Sequence, residues 1–511
     1  MESSKSVREF YKGKTIFITG ATGFFGKALI EKLLRSCPDI RHIYGLVRTK
    51  KGKTLNERIE HLFSNPIFDL LRDTKPESFS KVTFINGDVC EENLGLSNSD
   101  MKMLIENVNI IFHTAASVRF DDFLGDAIQI NLRSSRDLAL MALKMEKLEV
   151  FVHVSTAYAS VTKRKIIPEE LLPVHDDWKE MICLAEKSDT NILNYLSHKI
   201  VGKYPNTYTY TKHLAEHCIN DLLGAKVPTV IVKPTVVSSS ITEPMRGWTD
   251  NFNGPISIAL GSCSGVLRIC LADMNAAVDY VPVDTIVKAL ILSAWKTAQT
   301  PLTATEVIQP SAFGFKKYSM KLIVDIGSQV WYKYPLDVQI WYPNVKFTQS
   351  LIYYYINAVL FHLIPAVCID LLLRLFRCKP ILFKLHRKIC AANLAISYFL
   401  ENEWDFLNSK ALSLVDGLDG SEKEDFKYVF ITDNEVEYLK WNTISAKWLL
   451  LGQSKHVKPS AVKINRGFYY LDKICKGIFY IWLIWLVFFK YHIQTTFFEA
   501  TSNYWNRLGQ Q

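Results

Sequence analysis

Tyr208 and Lys212 stand four residues apart, one helical turn, so their side chains share a face. A phenol beside an ammonium makes a general acid, because the cation favours the phenolate and lowers the phenol's pKa. Tyr204 and Tyr210 have no such partner, being followed at that offset by Tyr208 and Leu214. A Tyr-x-x-x-Lys pair often arises by accident on a helix surface, so its surroundings decide. Upstream, the apolar run Val150–Ser155 reads as a strand whose end offers two hydroxyls, Ser155 and Thr156. Ligands of open α/β sheets bind at the carboxyl ends of the strands. Hydroxyl, phenol and ammonium would meet there, able to polarise and protonate a carbonyl oxygen.

Such chemistry needs a hydride source, and the N-terminal segment supplies a place for one. The run Thr15–Thr19 turns through Gly20-Ala21-Thr22-Gly23-Phe24-Phe25-Gly26 into a helical pattern from Lys27 to Arg35. Glycines at a strand-to-helix turn let backbone N–H groups reach a pyrophosphate at the helix N-terminus. Gly20, Thr22, Gly23, Phe24, Phe25 and Gly26 are therefore the expected cofactor contacts of this turn. The second strand, His42–Val47, ends in Arg48-Thr49-Lys50-Lys51, with no carboxylate before Glu57. An NAD site usually carries an acid there, whereas a basic end accommodates a 2′-phosphate, so NADPH is the expected cofactor. Asp88 and Val89 after the third strand, and Ala115 and Ala116 after the fourth, fall where adenine and ribose would lie. Pro234 after the sixth strand and Lys212 itself complete the expected cofactor set.

Positioning these residues takes a parallel sheet covered on both faces. Strands are expected at Thr15–Thr19, His42–Val47, Val82–Asn86, Ile110–His113, Val150–Ser155 and Thr229–Lys233. Helical patterns fit between them at Lys27–Arg35, Asn56–Leu71, Ser99–Glu106, Leu124–Leu143 and Tyr208–Leu223. That alternation specifies a Rossmann-like, doubly wound α/β fold. Beyond residue 345 the composition turns aromatic and Leu-rich. The chain divides on this reading into a nucleotide-binding domain at 10–345, a mainly helical domain at 350–455 and a membrane anchor at 477–498.

Composition excludes several classes. The 511 residues carry a net charge of +9, scattered rather than striped, which argues against nucleic acid. Ten cysteines without a Cys-x-x-Cys make neither a disulfide framework nor a metal site. The polar start Met1-Glu2-Ser3-Ser4-Lys5 lacks a secretory signal, so the catalytic part should face the cytosol. The apolar run Gly477–Phe489 lies between Lys476 and Lys490. It falls short of the about 20 apolar residues of a spanning helix unless flanking lysines snorkel, and basic residues precede it, as cytosolic flanks do. A second apolar segment, Leu351–Ile369, contains Asn357, His362 and Pro365 and is expected to be a buried or monotopic helix pair rather than a full span.

These motifs resemble the extended short-chain dehydrogenases, and within them the eukaryotic fatty acyl-CoA reductases, or male-sterility-type proteins. The matching stretches are Gly20–Gly26, Phe112–Phe120, Val152–Ala159, Pro205–Lys212, Gly247–Pro255, Gly265–Arg268 and Val281–Asp284. Leu363–Ala366, Asp370–Arg374 and Glu403–Asp405 extend the likeness toward the C-terminus. One departure is Lys233-Pro234, where the family usually has Arg-Pro. The resemblance implies NADPH-dependent reduction of a long-chain acyl-CoA: hydride reaches the thioester carbonyl, CoA leaves, and the aldehyde is reduced again to a primary alcohol. It also implies that Tyr208 protonates the oxygen, that Ser155 or Thr156 (slightly favoured, since it follows the serine as in extended relatives) bonds it, and that Lys212 tunes Tyr208 and holds the nicotinamide ribose. The basic triplet Lys163-Arg164-Lys165 could meet CoA phosphates, a solvated loop being the plainer reading. A sterol-type dehydrogenase and a catalytically silent nucleotide-binding scaffold are the alternatives. Anchoring would place the enzyme on the peroxisomal or endoplasmic reticulum membrane.

Overall fold

Seven parallel strands form the central sheet: β1 (Thr15–Thr19), β2 (His42–Val47), β3 (Val82–Asn86), β4 (Ile110–His113), β5 (Val150–Val154), β6 (Thr229–Val232) and β7 (Glu306–Ile308). A computed structural model describes residues 5–48, 54–161, 164–301, 304–315, 317–430, 434–490 and 493–508. The strand order is β3-β2-β1-β4-β5-β6-β7, with every pairing parallel. The order reverses between β1 and β4, where Thr19 lies beside His113. That reversal opens the crevice in which doubly wound sheets hold ligands. β1, β4, β5 and β6 are buried along their length, as strands covered on both faces must be.

Helices cover both faces. Leu29 and Leu33 of α1 (Phe24–Ser36) pack with Ile286 and Leu290 further along the chain on one side. Ile219 and Leu223 of α2 (Thr207–Leu223) pack with Leu138 and Met141 on the other. The helix α3 (Val283–Gln299) is buried through most of its length and crosses α1.

Three expectations need correction. The helix expected over Asn56–Leu71 is broken: Leu55–Phe63 ends, Pro66–Phe68 forms a 3-10 turn and Asp69–Thr74 resumes. Pro66 lacks an N–H for the helical ladder, and the Asn65 side chain instead accepts from Ile67 N at 3.1 Å. The helix over Leu124–Leu143 carries a π-helical insertion at Ile128–Arg133. β7 was unanticipated, since only three residues of the 300–345 segment pair with β6.

The C-terminal region is stitched into this core. Asp405–Phe406 pairs with Ile166–Ile167, and Lys346–Thr348 with Ile269–Leu271. Ala411, Leu414, Phe426 and Phe430 join the same cluster as Val7 and Ile286, and the Glu422 carboxylate accepts from Val7 N and Arg8 N. Two long helices, α4 (Leu351–Leu375) and α5 (Leu382–Glu401), pack side by side. Among the described residues α4 is the one helix long and apolar enough to cross a bilayer, and only 28% of its most apolar stretch is buried. It is thus half of a helix pair, as expected, but it is not a buried one. A final long helix, α6 (Pro459–Lys490), exposes Ile478 through Trp485. Residues 491 and 492 of the expected anchor, and Thr49, Lys50, Lys51 and Lys163 of the basic stretches, lie outside the described residues.

Candidate active site at the carboxyl edge of the sheet

The glycine turn sits at the reversal point. Gly20 has φ +72°, and a Cβ there would lie 2.8 Å from Ala115 N and from Thr114 Oγ1. Gly26 is inside α1, where a Cβ would lie 2.4 Å from Gly20 O. Only glycine lets the turn close this tightly, and the tight turn puts the N-terminus of α1 at the crevice. Gly23 caps that helix without a side-chain bond, leaving its first N–H groups for a ligand. The residues present therefore fit a dinucleotide pyrophosphate. The Gly247–Pro255 block packs over the same helix start: Phe24 stacks on buried Trp248 with ring centroids 4.8 Å apart, and Lys27 pairs with Asp250.

Arg48, Asp88, Val89, Ala115, Ala116 and Pro234 all lie just past strands of the same edge. Arg48 is exposed, with its Nε 3.7 Å from Asp88 Oδ2, an open pair that leaves the guanidinium available. Asp88 also accepts from Cys90 N at 3.0 Å, which shapes the loop. Thr114 Oγ1 donates to Thr19 O at 2.7 Å, tying the β1 and β4 ends together on either side of the crevice.

Tyr208 occupies the first turn of α2, whose start is fixed by Asn206 accepting from Thr209 N at 2.9 Å. One turn later, buried Lys212 donates from Nζ to Val154 O at 2.7 Å. Burial pushes the Tyr208 phenol up to about 12, against a hydrogen bond with Thr156 that lowers it, while Glu216 adds to the rise. Burial draws Lys212 down to about 8, opposed by the Glu216 charge. Burial is thus the largest influence on the Tyr208 phenol, with Thr156 and Glu216 acting on it in opposite directions.

The two hydroxyls left open by the sequence are separated by their partners. Thr156 is the one that acts on Tyr208, lowering its phenol against burial, and its Oγ1 accepts from Tyr158 N at 3.3 Å. Ser155 turns the other way and donates to Glu216 Oε1, and Glu216 Oε2 pairs with Lys233 Nζ at 2.9 Å, both side chains fully buried. Lys233 therefore serves a buried ion pair rather than the crevice. His113 and His153, under the same edge, are held neutral: burial brings His113 down to about 3, with the Lys212 charge adding to the effect.

Several residues of the site were not anticipated. Asn131, on the π-helical insertion, donates to Thr211 Oγ1 at 3.1 Å and accepts from Ser117 N at 2.9 Å, joining α2 to the loop after β4. Its signal would have been a polar residue within an otherwise apolar helical pattern. Phe120 lies 5.8 Å from the Tyr208 ring, and Phe399 of α5 lies 5.3 Å from Phe120. Tyr158, Trp404 and Phe406 extend this apolar wall. Arg164 and Lys165 line a cavity of about 450 Å³ nearby, opposite Glu401, Glu403 and Asp405. Three carboxylates against two described cations make it a poor seat for phosphates. Among the described residues no group of His, Cys, Asp and Glu could hold a metal ion.

The strand order, the glycine turn and the Tyr208–Lys212 pair define a nicotinamide-dependent reductase of the doubly wound class. The fold is shared with the terminal R domain from the myxalamid PKS-NRPS biosynthetic pathway (TM-score 0.56, 16% identity, 85% of this chain and 90% of that one). It is likewise shared with the reductase domain of a nonribosomal peptide synthetase from Mycobacterium tuberculosis (TM-score 0.57, 16% identity, 86% and 92%). Family models described as male sterility protein match residues 18–290 and 361–452. Fatty acyl-CoA reductase 1 of Rattus norvegicus is 37% identical over 90% of this chain and 88% of its own length. That of Xenopus laevis is 36% identical over 94% and 93%. The chain belongs to the male sterility family of fatty acyl-CoA reductases.

Proposed function

We propose that the protein reduces long-chain fatty acyl-CoA to the primary alcohol, with release of CoA and an aldehyde between two hydride transfers from NADPH. The observation that carries this reading is the meeting of Tyr208, Thr156 and Lys212 beside the glycine turn, with an apolar wall from Phe120 and Phe399 on the far side. NADPH, when bound, supplies the hydride. Gly20, Thr22, Gly23, Phe24, Phe25 and Gly26 would hold its pyrophosphate, Arg48 the 2′-phosphate, and Asp88, Val89, Ala115 and Ala116 the adenosine. Pro234 and Lys212 would border the nicotinamide ribose.

Tyr208 donates its proton to the oxygen that gains charge, and Thr156 bonds the same oxygen. A phenol with a pKa near 12 stays protonated at neutral pH, which suits the reductive direction. The Phe120–Phe399 wall offers the acyl chain a dry surface. We assign the nucleotide-binding domain to 10–345, the helical domain to 350–455 and a membrane anchor to 477–498. The catalytic part faces the cytosol from a peroxisomal or endoplasmic reticulum membrane.

The test is NADPH consumption by the detergent-solubilised full chain with acyl-CoAs of graded length, products identified by gas chromatography. Alcohol at two NADPH per acyl-CoA supports the reading, and aldehyde alone would overturn the second reduction. Arg48→Ala should raise KM for NADPH about tenfold, the loss of one charge-assisted contact, and leave KM for NADH unchanged. Thr156→Ala should lower kcat about 100-fold and cost about 0.5–2 kcal/mol of stability, since Thr156 Oγ1 also caps the next turn by accepting from Tyr158 N at 3.3 Å. Ser155→Ala should act on stability alone, by about 1–3 kcal/mol, because it leaves a buried Glu216 oxygen without its donor. Equal kcat losses from both would put Ser155 in the catalytic set.

A further inference from the structure

Helix α4 turns much of its apolar surface outward. The residues of α4 that face the protein are Tyr354, Asn357, Ala358, His362, Ala366 and Asp370, while Ile352, Ile356, Leu360, Ile364, Leu371 and Leu375 are exposed. The inward face is mixed: Tyr354 and Ala358 pack with Ile269 and Leu271, and its polar residues are hydrogen-bonded. His362 Nε2 accepts from Arg268 N at 2.9 Å. Asp370 takes the backbone N–H groups of Ile381, Leu382 and Phe383, capping α5. On α5, Asn393 accepts from Leu271 N at 2.8 Å. A helix facing water does the reverse, burying its apolar stripe. A contiguous exposed apolar face of this kind marks an interaction surface.

Charge around the face tells which kind. The end of α4, the turn between the helices and the first turns of α5 carry Arg374, Arg377, Lys379, Lys384, Arg387 and Lys388, all exposed. The apolar face is thus bordered by a basic cluster, the pattern that settles on anionic lipid with its cations at the headgroups. Continuity with the proposed anchor points the same way. Arg268, whose backbone bonds His362, also reaches Asp472 of α6 at 3.2 Å through its guanidinium. Asp472 and Asn465 of α6 are buried while Ile474, Ile478 and Ile481 are exposed, so α6 repeats the inverted pattern from the same fixed point.

We propose that the α4–α5 hairpin lies in the membrane surface as a second, monotopic contact, with its apolar face in one leaflet and the basic turn at anionic headgroups. Phe399, near the C-terminal end of α5, packs at a tilt against Phe120 beside Tyr208. The hairpin therefore runs from the proposed lipid surface to the catalytic edge. The membrane contact itself stands apart from the reductase reading, because it rests on the exposed face and its basic border.

The exposed thiols provide the test. Cys183, Cys368, Cys378 and Cys475 are exposed, and of these Cys368 lies on α4 and Cys378 in the basic turn. Three versions of the full chain keep Cys368, Cys183 or Cys378, with the other exposed thiols replaced by serine. All are reconstituted into phosphatidylcholine vesicles with or without phosphatidylserine, the first two labelled with an environment-sensitive fluorophore. NADPH turnover is measured on the same sample, so a failed fold or a failed reductase reading is seen separately. Lipids nitroxide-labelled in the acyl chain should quench the Cys368 probe several-fold more than a probe at Cys183, on Trp178–Lys187. Phosphatidylserine should deepen the quenching, and the triple variant Lys384→Glu, Arg387→Glu, Lys388→Glu should abolish that gain. A membrane-impermeant thiol reagent should reach Cys378 from the side that consumes NADPH. Equal quenching at Cys368 and Cys183 would overturn the proposal in favour of a protein cover for this face. Labelling of Cys378 only after permeabilisation would overturn it in favour of a spanning α4.

Discussion

Tyr208→Phe should abolish alcohol formation, lowering kcat about 1,000-fold while KM for NADPH and the melting temperature stay as they are. The expected size is that of a general acid removed from its transition state, about 100- to 10,000-fold. Stability should hold because the ring keeps its contact with Phe120 and only a hydroxyl is lost. The pH profile gives a second readout. Lys212 is drawn down to about 8, so it is a cation below that pH and neutral above it. The wild-type rate should be level at neutral pH and fall above about pH 8 as this charge disappears. Steady-state kinetics with a long-chain acyl-CoA, together with a thermal melt of each protein, checks both parts. A variant that retains a tenth or more of kcat would remove Tyr208 from the proton transfer.

How legible the site was in the sequence depended on whether each residue acts through local spacing. The six expected strands form, four of them with the expected ends, because fully buried parallel strands read as short apolar runs bounded by turn residues. The glycine turn and the Tyr208–Lys212 pair were legible for the same reason: each is a short-range pattern with a mechanical meaning. What sequence spacing could not show is which strand ends are neighbours. Ser155, Glu216 and Lys233 meet only because β5 lies next to β6 and α2 crosses both ends. Lys233 stood out as a departure from the family's arginine, yet its partner is set by topology. Phe399 was equally hidden, since it reaches Phe120 from far along the chain. The expectation for Leu351–Ile369 held two forms, buried or monotopic, and exposure speaks only against the buried one. Asn357 and His362 read there as breaks in an apolar run, and Asp370 as its end. They are the inward, hydrogen-bonding face of the helix.

Glu216→Ala should be the most destabilising single change at the site, costing about 3–5 kcal/mol. Tyr208, Lys212 and Glu216 follow one another at four-residue intervals along α2 and so stack on one face. The carboxylate accepts from Ser155 beyond β5 and from Lys233 beyond β6, clamping the catalytic helix to two strand ends. Without it the fully buried Lys233 ammonium keeps only the Ser160 hydroxyl, at 3.3 Å, and an uncompensated buried charge is what makes the loss large. Glu216→Gln should cost less, since the amide oxygen still accepts from Ser155. Glu216→Gln combined with Lys233→Met should recover most of the loss, as removing both charges cancels the penalty. The electrostatic consequence separates the clamp from simple packing. The Glu216 charge raises Lys212 against its burial, so in the double variant the ammonium loses its proton at lower pH. The fall in kcat should then begin below the wild-type limb near pH 8. Chemical denaturation and a pH–rate profile of the three variants measure the two effects independently. A double variant as unstable as Glu216→Ala would show that shape rather than charge holds α2 in place. An unmoved pH limb would mean that Lys212 does not feel this carboxylate.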